Sequence, residues 1–502
     1  MAGELLLLRN AQPARLADVP LLSIPLFRTA ILDAVWNEWR VSTLFGREAD
    51  GHVELVVVMA NDGAGQLGIA RTRLAGDEFL SLTPECPQLH LFEREIAEQY
   101  GIRMTGHPWM KRVRFQQPLR LGASVFEGAP VAGVTDFFRV EGEEVHEVAV
   151  GPVHAGVIEP GHFRFQCHGE RVFHLEIALG YQHRGLERAL IGGPQKKTPY
   201  YLETVAGDTT IGHMLAYCHA VEGLSGARVP ARAQALRGIA LELERLANHT
   251  GDLGALSGDV AFLPTASYCG RIRGDYLNLS AELCGSRFGR GLLRPGGVLF
   301  NLTDDRIATL IERLDNATRD AVESIALLWS TPTVTERFEN TGVIEPELAE
   351  EIGMVGVAAR ACGRAIDVRH DFPTGVYRFA NVPVMTAHYG DVNSRASVRW
   401  LELERSADFV REQLQALPAT PVRATVPPLA ADTLVASLTE GWRGEICHVA
   451  ITGSDGTLSR YKITDPSFHN WFGLALALRD GEISDFPLCN KSFNLSYCGH
   501  DL

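Results

Sequence analysis

Apolar residues recur along this chain in two periods, one near two and one near 3.6. Ile31 to Trp39 has helical spacing, and Val53 to Met59 (VELVVVM) is a short buried strand followed by an Asn61-Asp62-Gly63 turn. Leu91, Phe92, Ile96 and Tyr100 form a helical stripe with Glu93, Glu95 and Glu98 outside it, and Gly101 stops the run. From Gly151 to Leu190 the pattern is a hairpin. Phe163 and Phe165 alternate with Arg164 and Gln166, and His168-Gly169-Glu170 forms the turn. Phe173, Leu175 and Ile177 then alternate with His174 and Glu176 up to Gly180. Long helices are predicted over Ile211 to Leu224, Ala231 to Asp252, Asp304 to Trp329, and Val392 to Leu417, the last stopped by Pro418. In the second, Ala235, Ile239, Leu243 and Leu246 make the stripe, leaving Glu242, Glu244 and Arg245 off it. Glu445 to Thr452 and Leu458 to Ile463 pair across Gly453-Ser454-Asp455-Gly456, and Asp465-Pro466-Ser467 caps a helix running to Leu478.

These elements predict an α+β protein in two parts. Residues 1–115 form a small α+β domain. Residues 116–142, rich in Gly, Pro and Ala, read as a linker, and 143–502 form a mainly α-helical domain with small β elements. The formal charge of −14 disfavours nucleic acid or anionic lipid as a main partner. No apolar run approaches the ~18 residues that span a bilayer, and Leu5 to Leu8 is too short for a signal peptide. The expected location is cytoplasmic, peripheral on the inner face of the membrane through other subunits. Nine cysteines contain no CxxC pair, so they read as reduced thiols and the chain carries no iron–sulfur or zinc cradle of its own.

Candidate chemistry gathers around the 151–190 hairpin, where His154, His162, His183, Arg184 and Glu187 flank apolar strands. They suggest a pocket wall; solvated loop histidines are the plainer alternative. Glu187 follows His183 by four residues, so the two would share a helix face and could share a proton. No Gly-x-Gly-x-x-Gly fingerprint appears, so direct NAD binding is not expected.

Several runs carry a resemblance: GPVHAG, EPGHFRF, YQHRGLE, RVPARAQALRGIALELERLANHTGDLG, LLRPGG, RGEICHVAITG and Arg369-x-Asp371-x-Pro373. They resemble the large subunit shared by complex I (its 49 kDa-type subunit) and membrane-bound NiFe hydrogenases of the formate hydrogenlyase and hydrogenase-4 kind. Ser81 to Phe115 resembles the signature of the complex I 30 kDa-type subunit, a docking domain without chemistry of its own, whose charged residues would be a solvated helix face. The fusion of the two resembles the formate hydrogenlyase large subunit. The resemblance implies an iron–sulfur small subunit, a ferredoxin-like subunit and antiporter-like membrane subunits as partners. It also implies clusters held by those partners, and electron transfer to a quinone or other acceptor coupled to ion movement.

The resemblance further implies two CxxC pairs for nickel and iron, since soft thiolates suit that centre. Ala206 and Thr209 stand at the first pair, and Asn494, Leu495, Ser496 and Gly499 replace the second pair's Asp, Pro and two Cys. Cys498 is one residue out of register. No metal and no nickel–iron chemistry are therefore expected, and the end at Leu502 leaves no tail for maturation to remove. Gly207 likewise lacks the tyrosine that in complex I bonds the quinone headgroup. His183, Arg184, Glu187, Asp208, His213, Arg369 and Asp371 remain as a proton path or headgroup site, with His154, His162, Thr209 and Ser496 lining an acceptor pocket. The alternative is that these residues tie the fold together in a non-catalytic scaffold. A cavity at Asp208, Thr209 and Ser496 would favour the first reading, and side chains filling that space the second.

Overall fold

The computed structural model describes residues 4–155 and 158–502; Gly156 and Val157, inside the GPVHAGV run, lie outside the described residues. The architecture is mixed, as the α+β expectation requires, but its layers run across the two expected parts.

The strand His52–Asn61 shows how. Its apolar run is continuous because both faces are buried. Val53, Leu55, Val57 and Met59 join one core with the helices Ile24–Trp36 and His90–Tyr100. Val56, Val58 and Ala60 join another with Leu434, Leu438, Val449 and Ile451 of a second sheet. The first sheet has strand order Leu6–Leu8, Gln66–Arg73, His52–Asn61, Arg40–Ala49, with Leu21–Leu22 pairing parallel to Gln66–Arg73. The second runs Leu458–Thr464, Gly444–Thr452, Thr433–Gly441 and then Pro13–Arg15, so the chain's first residues lend a strand to the large part.

Beyond the second sheet lies the helical body. Its axis is the 29-residue helix Ala231–Asp259, packed on Leu263–Cys284 and Val392–Gln415, with Thr210–Ser225 against the sheet. A third sheet, Arg171–Ala178, His162–His168, Val145–Val150, shares a core with Trp471, Phe486 and Tyr497 near the C-terminus.

Several expectations shift. The first helix is Ile24–Trp36, not Ile31 to Trp39: Pro25 sits in its first turn, where a missing N–H costs nothing, and Glu38 turns the chain at φ 65°. In the hairpin a bulge after Gln166 pairs Cys167 with Val172, so Val172 is buried where Phe173 was expected. Glu93, Glu95 and Glu98 do not form a solvated face; all three are buried. Glu93 accepts from the Ser81 and Thr83 hydroxyls, and Glu98 accepts the backbone N–H groups of Val113, Arg114 and Gln116. Glu95 meets Lys462 and Arg114. Their helix is sandwiched between the first sheet and the C-terminal part, so charges off the apolar stripe are also inside. Residues 106–144 contain no helix or strand.

Candidate functional site

The chain's last turn organises the site. Ser496 caps the helix Tyr497–Asp501 by accepting the Gly499 N–H, and its own N–H bonds Ser467 Oγ at 2.8 Å. The YQHRG loop wraps this turn. Asp501 accepts the backbone N–H groups of Gly180 and Gln182, and Leu502 O accepts those of Arg184 and Gly185. His183 Nδ1 donates to Asp501 O at 2.7 Å, and burial lowers the imidazole's pKa. Arg184 spans the gap between segments, donating to the carbonyls of Thr204, Val205 and Cys498.

Arg443 is the hub, and the sequence reading missed it. It donates to both Asp208 oxygens at 2.6 and 2.8 Å, to Thr209 Oγ1, and to the Asn494 carbonyl. Its guanidinium lies 3.9 Å from the Trp442 ring centroid, and the Trp442 Nε1–H bonds Asp208 O and Thr209 Oγ1. The loop that carries Arg443 needs glycine opposite it: a Cβ on Gly356, at φ +65°, would lie 2.1 Å from the Arg443 carbonyl oxygen. Burial would raise the Asp208 carboxyl, but the Arg443 guanidinium outweighs it and lowers the pKa.

Other titratable groups close in. Glu244 accepts the Ile211 and Gly212 N–H groups at 2.7 and 3.1 Å at the start of the Thr210–Ser225 helix, yet burial pushes it up to about 8. Burial, with the Glu159 carboxylate beside it, pushes the Cys498 thiol up to about 11. Its sulfur is 3.4 Å from Ser496 Oγ.

Behind this cluster lies a buried row. His213 bonds Asp465 at 2.9 Å and His448 at 3.1 Å, and His448 bonds Tyr461 Oη at 2.9 Å. Asp465 only accepts, so His213 donates from Nε2. His213 Nδ1 meets His448 Nε2, and His448 Nδ1 meets the Tyr461 hydroxyl, so the row is continuous from Asp465 to Tyr461.

The remaining expected residues go elsewhere. Glu187 does not share a helix face with His183, because the helix Leu186–Leu190 starts after Gly185 at φ 69°. It is buried against Arg460 at 2.9 Å and Lys462 at 3.1 Å and accepts the Ile463 N–H; burial opposes ionisation, but these cations hold its pKa far below the usual range. Arg369 is buried between Asp367 and Glu242, and Asp371 accepts the Asp367 N–H, in a network with Arg360, Glu402 and Glu440. His162 Nδ1 meets Gly151 O and its ring packs on Phe137, while His154 is exposed. Two cavities, of about 740 and about 470 Å³, are lined by none of the expected residues. At Thr209 and Ser496, each 1% exposed, the space is filled by hydrogen-bonded side chains; Asp208 is partly open, with a third of its side chain exposed.

The donor set does not match a thiolate-held nickel–iron pair. Ala206, Thr209, Ser496 and Gly499 offer no thiolate, and a Cβ on Gly499 would lie 2.6 Å from Asp465 Cγ. Gly207, by contrast, has no atom within 4 Å of where its Cβ would point.

Residues 38–121 match the family described as respiratory-chain NADH dehydrogenase, 30 Kd subunit, and 259–437 match its 49 Kd subunit. The second match takes in Arg369 and Asp371 but not the Arg443 cluster. Formate hydrogenlyase subunit 5 of Escherichia coli is 29% identical over 91% of this chain and 84% of its own length. The carbon monoxide-induced hydrogenase of Rhodospirillum rubrum is 32% identical over 70% of this chain and 97% of its own. A chain of the membrane-bound sulfane sulfur reductase, an archaeal respiratory membrane complex, shares the fold at a TM-score of 0.67 and 22% identity, over 72% of this chain and 99% of that one. The alignment with the Rhodospirillum enzyme and the two ordered family matches place this chain in the family of large subunits common to complex I and the membrane-bound hydrogenases, with a 30 kDa-type domain ahead of the 49 kDa-type one.

Proposed function

We propose that the chain is the large subunit of a membrane-associated oxidoreductase in which an iron–sulfur small subunit passes electrons to a quinone-like acceptor beside Asp208, without nickel–iron hydrogen chemistry. A ferredoxin-like subunit and antiporter-like membrane subunits complete the assembly, and electron transfer is coupled to ion movement. In this reading attachment runs through those partners; no described helix is long and apolar enough to cross a membrane. The chain itself holds no cofactor; the clusters belong to its partners.

The observation that carries this reading is the Arg443–Asp208 pair, partly open, standing where the thiolate positions of the two segments meet. An ion pair can orient an acceptor and supply charge to a developing anion; an alanine, two hydroxyls and a glycine cannot hold a soft metal. The hydrogen-bonded row from Tyr461 through His448 and His213 to Asp465 supports proton movement toward the same turn. A second reading, a scaffold that binds no acceptor, is favoured by the filled space at Thr209 and Ser496.

The complex, purified through a tag on this chain, distinguishes them. It should contain no stoichiometric nickel and should reduce decylubiquinone from a dithionite-reduced state. Asp208→Asn should slow that reduction at least tenfold at unchanged complex yield. Nickel that survives chelation would overturn the first reading, and an Asp208→Asn complex of full rate would leave the scaffold.

A further inference from the structure

The cleft of about 740 Å³ opens where the turns 9–12 and 64–66, the end of the helix Thr210–Ser225 and the 3₁₀ turn Gly375–Arg378 meet. Three arginines from widely separated segments line it: Arg9, Arg228 and Arg378. All three are exposed, and among the described residues none of their guanidinium groups makes a hydrogen bond or an ion pair. Elsewhere arginines meet carboxylates, as Arg40, Arg237, Arg369 and Arg443 do. The one acid on the cleft wall, Glu222, is already held by Arg237 at 2.6 Å and by the Gly296 N–H at 2.7 Å. In a chain with 61 acids against 47 bases, this is a concentration of positive charge against the overall sign.

The walls are fixed without a ligand. Asn10 donates to the carbonyls of Phe372 and Leu438 at 2.8 and 3.0 Å and accepts the Leu438 N–H, which pins the turn that carries Arg9. Ala11, at φ 58°, takes a left-handed conformation that residues with a side chain adopt at a cost, and such strain collects at binding sites. A Cβ on Gly223 would lie 2.6 Å from Ala11 O, so the helix end approaches this turn as closely as only glycine allows. The other polar groups of the wall include Gln12, Gln234, Thr374 and His219, which burial lowers to about 4 and so leaves neutral at pH 7. They can bond an anion without repelling it.

Guanidinium forks match phosphate oxygens two at a time, and arginines free of competing carboxylates are suited to that contact. The volume is in the range of small-molecule sites and exceeds what one orthophosphate would fill. We propose that this cleft binds a small molecule carrying two linked phosphate groups, held between Arg9, Arg228 and Arg378 with Gln12 and Gln234 beside it. An acidic segment of a partner would meet the same charge, but a concave site of this size suits a compact ligand better.

The probes are ADP and inorganic pyrophosphate, titrated separately into the full chain by calorimetry at low ionic strength, where screening is weakest. Both should bind one-to-one and about tenfold or more tighter than orthophosphate, since they engage more guanidinium groups. Tighter binding of ADP would add a nucleoside contact on the wall at Val229 and Pro373; equal or weaker binding would assign the site to the diphosphate alone. Arg228→Gln and Arg378→Gln should each weaken ADP about tenfold, and together abolish its heat. Neither guanidinium holds another group, so both variants should melt as the parent does. Arg423→Gln removes an exposed arginine outside the cleft and should leave the affinity unchanged, which separates the site from net charge. No heat from either diphosphate up to millimolar concentration, undiminished binding by the double variant, an equal loss in Arg423→Gln, or an oligoglutamate peptide binding more tightly than ADP would overturn the proposal.

Discussion

At the scale of single residues, burial decides what the charged side chains of this protein do. Glu187 shows it best. Set between Arg460 and Lys462, it is a structural anion rather than a proton donor to His183. Removing one member of such a buried set typically costs about 3–5 kcal/mol, because the partners keep their charge and lose its compensation. Glu187→Gln should therefore destabilise the chain by about 3 kcal/mol in chemical denaturation; a change under 1 kcal/mol would mean that the cations relax into solvent. Its folded pKa lies below the unfolded value of about 4.3, so its contribution is full above that pH and is lost as pH falls through the folded value. Glu244 has the opposite sign. Raised to about 8, it favours the fold when protonated, so its contribution is full below about pH 4.3 and is lost as pH rises through 8. Glu244→Gln should flatten the fall in stability between pH 5 and 8. Some slope will remain, because Glu440 is also raised, to about 7. An unaltered slope in the variant would remove Glu244 from the account.

At the scale of elements, the alternation of apolar positions foretold most helices and strands, and the reasons for the misses are physical. Asp304–Trp329 was legible to the residue because a strong one-sided stripe follows two acids in its first turn. Leu263–Cys284 escaped, although its buried Cys269, Ile272, Tyr276, Leu279 and Leu283 step by three and four; the stripe mixes aliphatics with Cys269 and Tyr276, and Thr265 and Ser280 are buried beside it. The strand Thr433–Gly441 escaped because both of its faces are buried and it shows no clean alternation. Of the site, Asp208, Thr209, His213 and Ser496 were legible from the matched runs. Arg443 and Asp465 were not, since each acts on residues more than two hundred positions away. The terminal turn makes this coupling testable. Gly499 packs so closely on Asp465 that Gly499→Ala must displace that carboxylate or the Ser496 cap. The variant should lose the His213–Asp465 bond, read as a changed imidazole tautomer by nitrogen NMR. An unchanged His213 signal would show that the turn shifts instead.

At the scale of the whole molecule, the question is whether the 30 kDa-type part is a separable docking domain. The match over 38–121 and the irregular stretch after it suggest so from sequence. The layering argues otherwise. Val56, Val58, Leu67 and Ile69 make one core with Leu434, Leu438, Val449 and Ile451, and Pro13–Arg15 completes the second sheet. Buried ion pairs cross the same boundary: Arg40 with Glu445, and Lys462 with Glu95. Cutting the chain in the stretch 116–142 would expose an apolar sheet face on each fragment and leave charges without partners on both, two costs that a solvated surface cannot offset. Fragments 1–130 and 131–502, made separately, should each bind a hydrophobic dye and lack a sharp thermal transition. Mixed or co-expressed, they should reassemble with a single transition near that of the intact chain. If 131–502 alone unfolded cooperatively at the temperature of the full chain, the shared core would contribute nothing to stability and the small part would be a removable accessory.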